Sequence, residues 1–317
     1  MAELAIIIGN GFDLDLGLPS KYTDFIGSKE WKDVEHSISM FPTDDYRNHS
    51  LIYHLQRAAY SKENWFDIEE EIYRFVQEHP ECSDMEIRDI KAEFNRLKKA
   101  LRSYLVRVSD GFKMDESRLP CQFFSQLVNC PKKMVEIYFN YTTPKAFLPK
   151  ELHFAPGHCS TTYVHGNLEE DNIVLGCDIQ RDDEVNRSLS FMYKYNMLNR
   201  ANHVARDLLE AKEIIFYGHS VNEMDFGYFR EFFKLASASP NPQKHLTFIT
   251  FDENAERAIK DNIRNQGISV TDLYNNLETF TFIHTKKLND KNGNELMEWN
   301  NMFTRLLKKE KRGVTVR

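Results

Sequence analysis

The 317-residue chain carries 41 Lys+Arg against 48 Asp+Glu, a formal net charge of -7, so it lacks the basic surplus of a dedicated nucleic-acid or anionic-membrane binder. Hydrophobic residues at 41% and charged residues at 28% are those of a folded protein, and a chain this long can bury a core without disulfide staples. The five cysteines (Cys82, Cys121, Cys130, Cys159 and Cys177) are widely spaced and form no CxxC pair, which excludes a secreted disulfide framework and predicts reduced thiols in a cytoplasm.

The N-terminus has no basic region of a signal peptide, and no apolar run approaches the roughly 20 residues needed to span a bilayer. Leu4–Ile8 is a short apolar run stopped by Gly9, the pattern of a strand buried on both faces of a parallel sheet. From Ser28 to about Pro131 the pattern becomes that of amphipathic helices: Trp65, Ile68, Ile72, Phe75 and Val76 recur near helical spacing, as do Ile87, Ile90, Phe94, Leu97, Leu101 and Leu105. Further strands are predicted at Met134–Phe139, Thr161–Val164, Ile173–Leu175, Glu213–Tyr217, His245–Phe251 and Thr279–Ile283, with helices over Leu189–Ala211 and Glu253–Asn265. This alternation predicts an α/β fold, a doubly wound and mostly parallel sheet with a large helical insertion after the first strand. Residues 1–27 and 131–285 form the predicted Rossmann-type nucleotide-binding domain and 28–130 the insertion. Residues 286–317 form a C-terminal helix and a basic tail (Lys308, Lys309, Lys311, Arg312) that reads as solvated surface.

Four strand ends carry chemistry. Gly9-Asn10-Gly11 follows the first strand and would let backbone N–H groups approach a pyrophosphate, although for a lone Gly-x-Gly a tight strand-to-helix turn is the commoner explanation. The third glycine of the dehydrogenase fingerprint is missing, because that position holds Leu14. Asn140 ends the second strand as a candidate ligand-orienting carboxamide or a turn cap, and His165, followed by Gly166, ends the next as a candidate proton-transfer group or a structural histidine. Gly218-His219-Ser220 follows another strand as a candidate phosphate turn, with Asp225 as a ribose ligand or a plain helix cap. Walker GK[ST], HExxH and Gly-x-Ser-x-Gly motifs are absent.

Gly9-Asn10-Gly11-Phe12-Asp13 with Pro19, then Phe139-Asn140-Tyr141, His165-Gly166 and Gly218-His219-Ser220 with Asp225 resemble the AbiH group of bacteriophage abortive-infection proteins, as does Trp65-Phe66-Asp67-Ile68-Glu69. That group is itself similar to sirtuin-like, Rossmann-type NAD-handling domains, and the resemblance runs from Ile6 to about Asp252. It implies that Gly9 to Asp13 surround NAD, that Asn140 lies beside the nicotinamide ribose, that His165 is catalytic, and that Gly166, Gly218, Ser220 and Asp225 lie near the cofactor. The chain departs from the sirtuin pattern in two places: Asn10 and Phe12-Asp13 replace the loop's alanine and serine, and Thr142 replaces the acid two positions after the asparagine. The CxxC pairs of the deacylase zinc ribbon are missing, so protein deacylation and a structural zinc are not expected.

The resulting expectation is a cytoplasmic antiphage protein that binds NAD as a substrate and hydrolyses its nicotinamide–ribose bond without a metal. Phe12 would cover the sugar, Asn140 orient the ribose or the attacking water, His165 accept a proton, and the amides of Gly9 to Phe12 cradle the pyrophosphate. A phage-derived trigger, a partner defence protein or a second copy of the chain would restrain or activate it, and the insertion with Trp65 and Glu69 would serve as a lid or assembly surface. Two alternatives stand beside this expectation: a metal-dependent nuclease built on Asp13, Asp15, Glu69 and Asp225, and a non-catalytic nucleotide sensor.

Overall fold

The structure, a computed structural model, describes residues 2–39, 44–61, 66–143, 147–178, 186–196, 203–290 and 293–308. Trp65 and the tail residues Lys309, Lys311 and Arg312 lie outside the described residues. Strand β1 (Leu4–Ile8) is followed by α1 (Asn10–Leu16), α2 (Tyr22–Ile26), α3 (Lys29–Ser39), α4 (Asp44–His49), α5 (Leu51–Ser61), α6 (Ile68–Glu78), α7 (Asp84–Asp110) and α8 (Leu119–Leu127). Then come β2 (Met134–Tyr138), β3 (Cys159–Tyr163), α9 (Val204–Glu210), β4 (Glu213–Tyr217), α10 (Arg230–Ala238), β5 (Asn241–Thr250), α11 (Glu253–Asn265), α12 (Val270–Asn276), β6 (Leu277–His284) and α13 (Asn294–Leu307).

The six strands form one all-parallel sheet in the order β3-β2-β1-β4-β5-β6, with Ile7 of β1 opposite Ile137 on one side and Phe216 on the other. Every residue of β1 has zero exposure because helices cover both sheet faces. Ala5 and Ile7 point into a core with α9, α10, α11 and α12, while Leu4, Ile6 and Ile8 point into one with α1, α8 and α13. Each large side chain so buried contributes about 1.5–3 kcal/mol, which explains the unbroken apolar run in the sequence. The chain builds β2 and β3 on one side of β1 and then crosses over to lay β4 on the other, so the switch point of the sheet lies between β1 and β4.

Helices α2, α3, α5, α6 and α7 share a separate core that includes Phe25, Trp31, Leu55, Phe75, Leu97 and Leu105, whereas Phe123 and Phe124 of α8 pack with the sheet. Helix α7 is long because its apolar residues keep helical spacing and its start is fixed by a capping box of Ser83 and Glu86. No helix among the described residues is long and apolar enough to cross a membrane.

Two predicted elements are corrected. Ile173–Leu175 is not a strand: residues 172–176 run as irregular buried chain, and Leu175 fills the insertion's core. The helix predicted over Leu189–Ala211 is instead a 3-10 turn at Arg187–Met192, another at Lys194–Asn196 and the short α9; residues 197–202 lie outside the described residues. The helix predicted over Glu253–Asn265 is α11, started by Asp252, whose carboxylate accepts from the N–H groups of Asn254 and Ala255.

Candidate active site

The C-terminal ends of β1, β2 and β4 and the residues just after β3 open into a cleft of about 470 Å³, closed on the far side by Phe66, Asp67, Glu69, Leu101 and Leu105 of the insertion. Gly9, Asn10, Gly11, Asp13, Asn140, His165, Gly218, Ser220 and Asp225 line it together, so nine of the sequence-predicted site residues converge.

The glycine loop plays a different part from the expected one. The N–H of Gly9 donates to Tyr217 O at 2.9 Å, that of Gly11 to Gly218 O at 2.8 Å and that of Phe12 to Gly9 O at 3.0 Å. These amides are satisfied within the protein and do not form the expected phosphate cradle. A Cβ on Gly11 would lie 2.6 Å from Gly218 Cα, and Gly218 itself has φ +66° with its would-be Cβ 2.3 Å from Phe12 N. Gly11 and Gly218 are therefore required because the loops after β1 and β4 touch backbone to backbone at the switch point. Phe12 does not cover a sugar: it has zero exposure and sits under the sheet, its ring centroid 5.0 Å from that of Tyr217 and 5.7 Å from that of Phe124. Gly166 does not line the cleft; its φ of +71° makes the turn after His165, and a Cβ there would lie 2.1 Å from Asn172 O.

Where Glu69 of the insertion meets the strand ends, four charged or ionisable side chains come together. Lys194 is 2% exposed and places Nζ 2.7 Å from Glu69 Oε2, 3.2 Å from Asp225 Oδ1 and 3.3 Å from His165 Nε2. His165 Nε2 is 3.0 Å from Asp225 Oδ1, and Tyr141 donates its hydroxyl to Glu69 Oε1 at 3.1 Å. Burial opposes charge on both Lys194 and Asp225. Their mutual attraction overrides it, aided by Glu69 at the lysine and by His165 at the aspartate, and so holds Asp225 well below and Lys194 well above their ordinary values. Asp225 precedes the 3-10 turn Phe226–Tyr228 but makes no side-chain cap bond, so the plain cap role is replaced by this ion cluster.

His219 packs beside it. Val221 donates its N–H to His219 Nδ1 at 2.9 Å, which leaves the neutral ring's proton on Nε2, 3.7 Å from Asp225 Oδ2. Burial, opposed by Asp225, pushes this histidine down to about 4, so it is neutral at physiological pH.

Lys194 was missed from the sequence because it stands in a 3-10 turn outside any recognisable motif. Glu69, expected on a lid or assembly surface or among the nuclease acids, is delivered into the ion cluster by α6, which Asp67 caps. The four acids of the nuclease alternative do not converge: Asp15 accepts from Tyr217 on the other side of the sheet, Asp13 pairs with Thr142, and Lys194 stands between Glu69 and Asp225.

Asp13 is 1% exposed. Thr142 donates its hydroxyl to Asp13 Oδ2, while Oδ1 has no hydrogen-bond partner among the described residues; the same holds for both polar atoms of the Asn140 carboxamide. Burial pushes Asp13 up to about 7 against the Thr142 hydrogen bond and the nearby Asn140 amide, which does not reach hydrogen-bond geometry. A carboxyl whose folded value lies above its unfolded one lowers stability as pH rises between the two, here from about 4 to about 7, by up to about 1.4 kcal/mol per pH unit. Asp13→Asn should therefore gain melting temperature relative to the parent as pH rises through that window and hold a constant margin above it. Thermal melts between pH 4 and 9 check this, and a margin that ignores pH would place Asp13 in a solvated setting. Asp67, also raised to about 7 by burial, titrates in both proteins, so the difference isolates Asp13.

A parallel sheet in the order 3-2-1-4-5-6 with a cleft at its switch point defines a Rossmann-like fold. The family model described as "Bacteriophage abortive infection AbiH" matches residues 5–241, and the chain belongs to this family. The matched segment runs from β1 into the start of β5 and contains every site residue from Gly9 to Asp225. No curated protein matches the sequence.

Proposed function

We propose that the chain acts in abortive infection by hydrolysing a nicotinamide dinucleotide at its nicotinamide–ribose bond. The observation that carries this reading is the Asn140 carboxamide, buried with both polar atoms unpartnered among the described residues, on the cleft that His165 and Asp225 also line. Buried polar groups are ordinarily satisfied, so a carboxamide left open on a cleft is suited to a ligand that supplies both a donor and an acceptor, as a ribose diol does. The cleft volume lies within the range typical of small-molecule sites. The two departures from the sirtuin pattern also touch each other: Thr142 donates its hydroxyl to Asp13, so hydroxyl and carboxyl have exchanged places in the sequence pattern.

In this chemistry the C1′–N bond breaks with its electron pair going to the pyridinium nitrogen, neutral nicotinamide leaves, and the positive charge moves to the ribose. Water adds to C1′ and gives its proton to His165, whose orientation Asp225 fixes through Nε2. Asn140 orients the ribose. Since the glycine amides are occupied, Lys21 at the cleft supplies the charge for the pyrophosphate.

Purified protein incubated with NAD, with and without EDTA, is expected to yield nicotinamide and ADP-ribose at equal rates in both, read by chromatography. A neutral leaving group needs no ion to depart, unlike a phosphodiester's. Intact NAD in all arms would sink the reading, and EDTA-sensitive consumption of nucleic acid would replace it with the nuclease.

A further inference from the structure

The acids of the cleft are unequally provided with counter-charge. Glu69 and Asp225 share Lys194, and Asp67 is bonded by the N–H groups of Glu69 and Glu70. Asp13 has the Thr142 hydroxyl and the nearby Asn140 amide, with one oxygen open, and among the described residues no basic side chain acts on it. It nevertheless lines the cleft beside Asn140 from the first turn of α1, whose backbone is locked against the loop after β4. A carboxyl buried in a rigid setting without a cation is costly when ionised, and a ligand that brings the positive charge removes that cost.

On the reading above, we infer that Asp13 is the carboxylate that faces the reacting ribose, and that the cleft accordingly selects the oxidised dinucleotide with its cationic ring over the neutral reduced form. The two forms share adenosine, pyrophosphate and both riboses, so the recognition must act at the nicotinamide ring and the C1′ beside it. Asp13 attracts the pyridinium in the bound substrate and then meets the charge as it passes to the ribose, when the C1′–N bond has lengthened and the interaction is strongest. The protein's tendency to keep Asp13 protonated in the empty cleft agrees with this role, because binding of a cation favours the ionised form.

The test measures binding of NAD and NADH to the parent and to Asp13→Asn by calorimetry at pH 7.5, together with NAD cleavage. The parent should prefer NAD by about tenfold or more, a charge effect of the size expected for one partly buried pair. Asp13→Asn should bring the two affinities to within about twofold and slow cleavage about 10²–10³-fold, the loss typical of one removed electrostatic contact. A thermal melt confirms that the variant is folded. If the variant keeps the parental preference and rate, Asp13 is not the group that meets the cation, and the function proposed above stands. If the parent neither binds nor cleaves NAD, that function falls and this inference with it.

Discussion

Replacing Lys194 with methionine is expected to destabilise the protein by about 3–5 kcal/mol, because the hydrocarbon part is kept while Glu69 and Asp225 lose the cation they share. For a chain of this size that amounts to a fall in melting temperature of roughly 5–8 °C. The deficit depends on pH with a definite sign. Lys194 has its folded value raised above the ordinary one, so its contribution is complete below the unfolded value and is lost as pH climbs beyond it. Asp225 is lowered, so its contribution is present above the ordinary carboxylate value and disappears as pH falls below it. At pH 7 both contributions are in force and the parent–variant gap is widest. It should shrink toward pH 4, where protonation relieves the stranded carboxylates of the variant. Adding Glu69→Gln to Lys194→Met should recover part of the loss at pH 7 by removing one of the two stranded charges. An unchanged melting temperature in Lys194→Met would mean that the ion cluster contributes nothing to the docking of the insertion on the sheet.

His165→Ala carries the largest expected effect on activity. With the proposed chemistry, turnover of NAD should fall about 10²–10⁴-fold while KM changes little, because a proton acceptor acts chiefly in the transition state. The imidazole contacts Asp225 and Lys194 through Nε2 and stands edge-on to Phe139 at 5.5 Å, so its removal leaves the ion pair between those two intact. Single-turnover kinetics alongside equilibrium binding separates the two quantities. A variant with near-parental turnover would remove His165 from the mechanism and leave Asn140 and Asp13 to carry it.

What the sequence revealed follows from what each element buries. Strand β1 was legible because both sheet faces are covered, and α11 because its apolar residues repeat at helical spacing behind an Asp252 cap. Strand β3 was read short: its Cys159–Tyr163 segment is an edge strand of small polar residues whose pairing with β2, not hydrophobicity, defines it. The trio Ile173, Val174 and Leu175 was misread for the opposite reason, since irregular chain packed against a helical core is as apolar as a strand. At the site, Asn140, His165, Gly218 and Asp225 could be found because a parallel sheet presents its strand ends on one edge. Lys194 could not, because its role depends on where α6 docks, and no local pattern records that. Phe12 was misplaced by the same limitation: its position in the loop is evident, whereas the turn that sends its ring beneath the sheet is a tertiary result.

The ion cluster also has a consequence in time. Lys194 reaches Glu69 across 125 positions of sequence, and Asp225 comes later still. Contacts of such separation form late, and a chain emerging N-terminus first presents β1, the glycine loop and all of α2 to α7 before either residue exists. When α7 has just emerged, Glu69 has no Lys194, Asp13 has no Thr142, and the core of the insertion lacks Leu189, Met192 and Tyr193. If the chain has the activity proposed above, it is thus inert on the ribosome: a fragment that stops short of β4 has neither the backbone contact that seats the glycine loop nor the aspartate that pairs with His165.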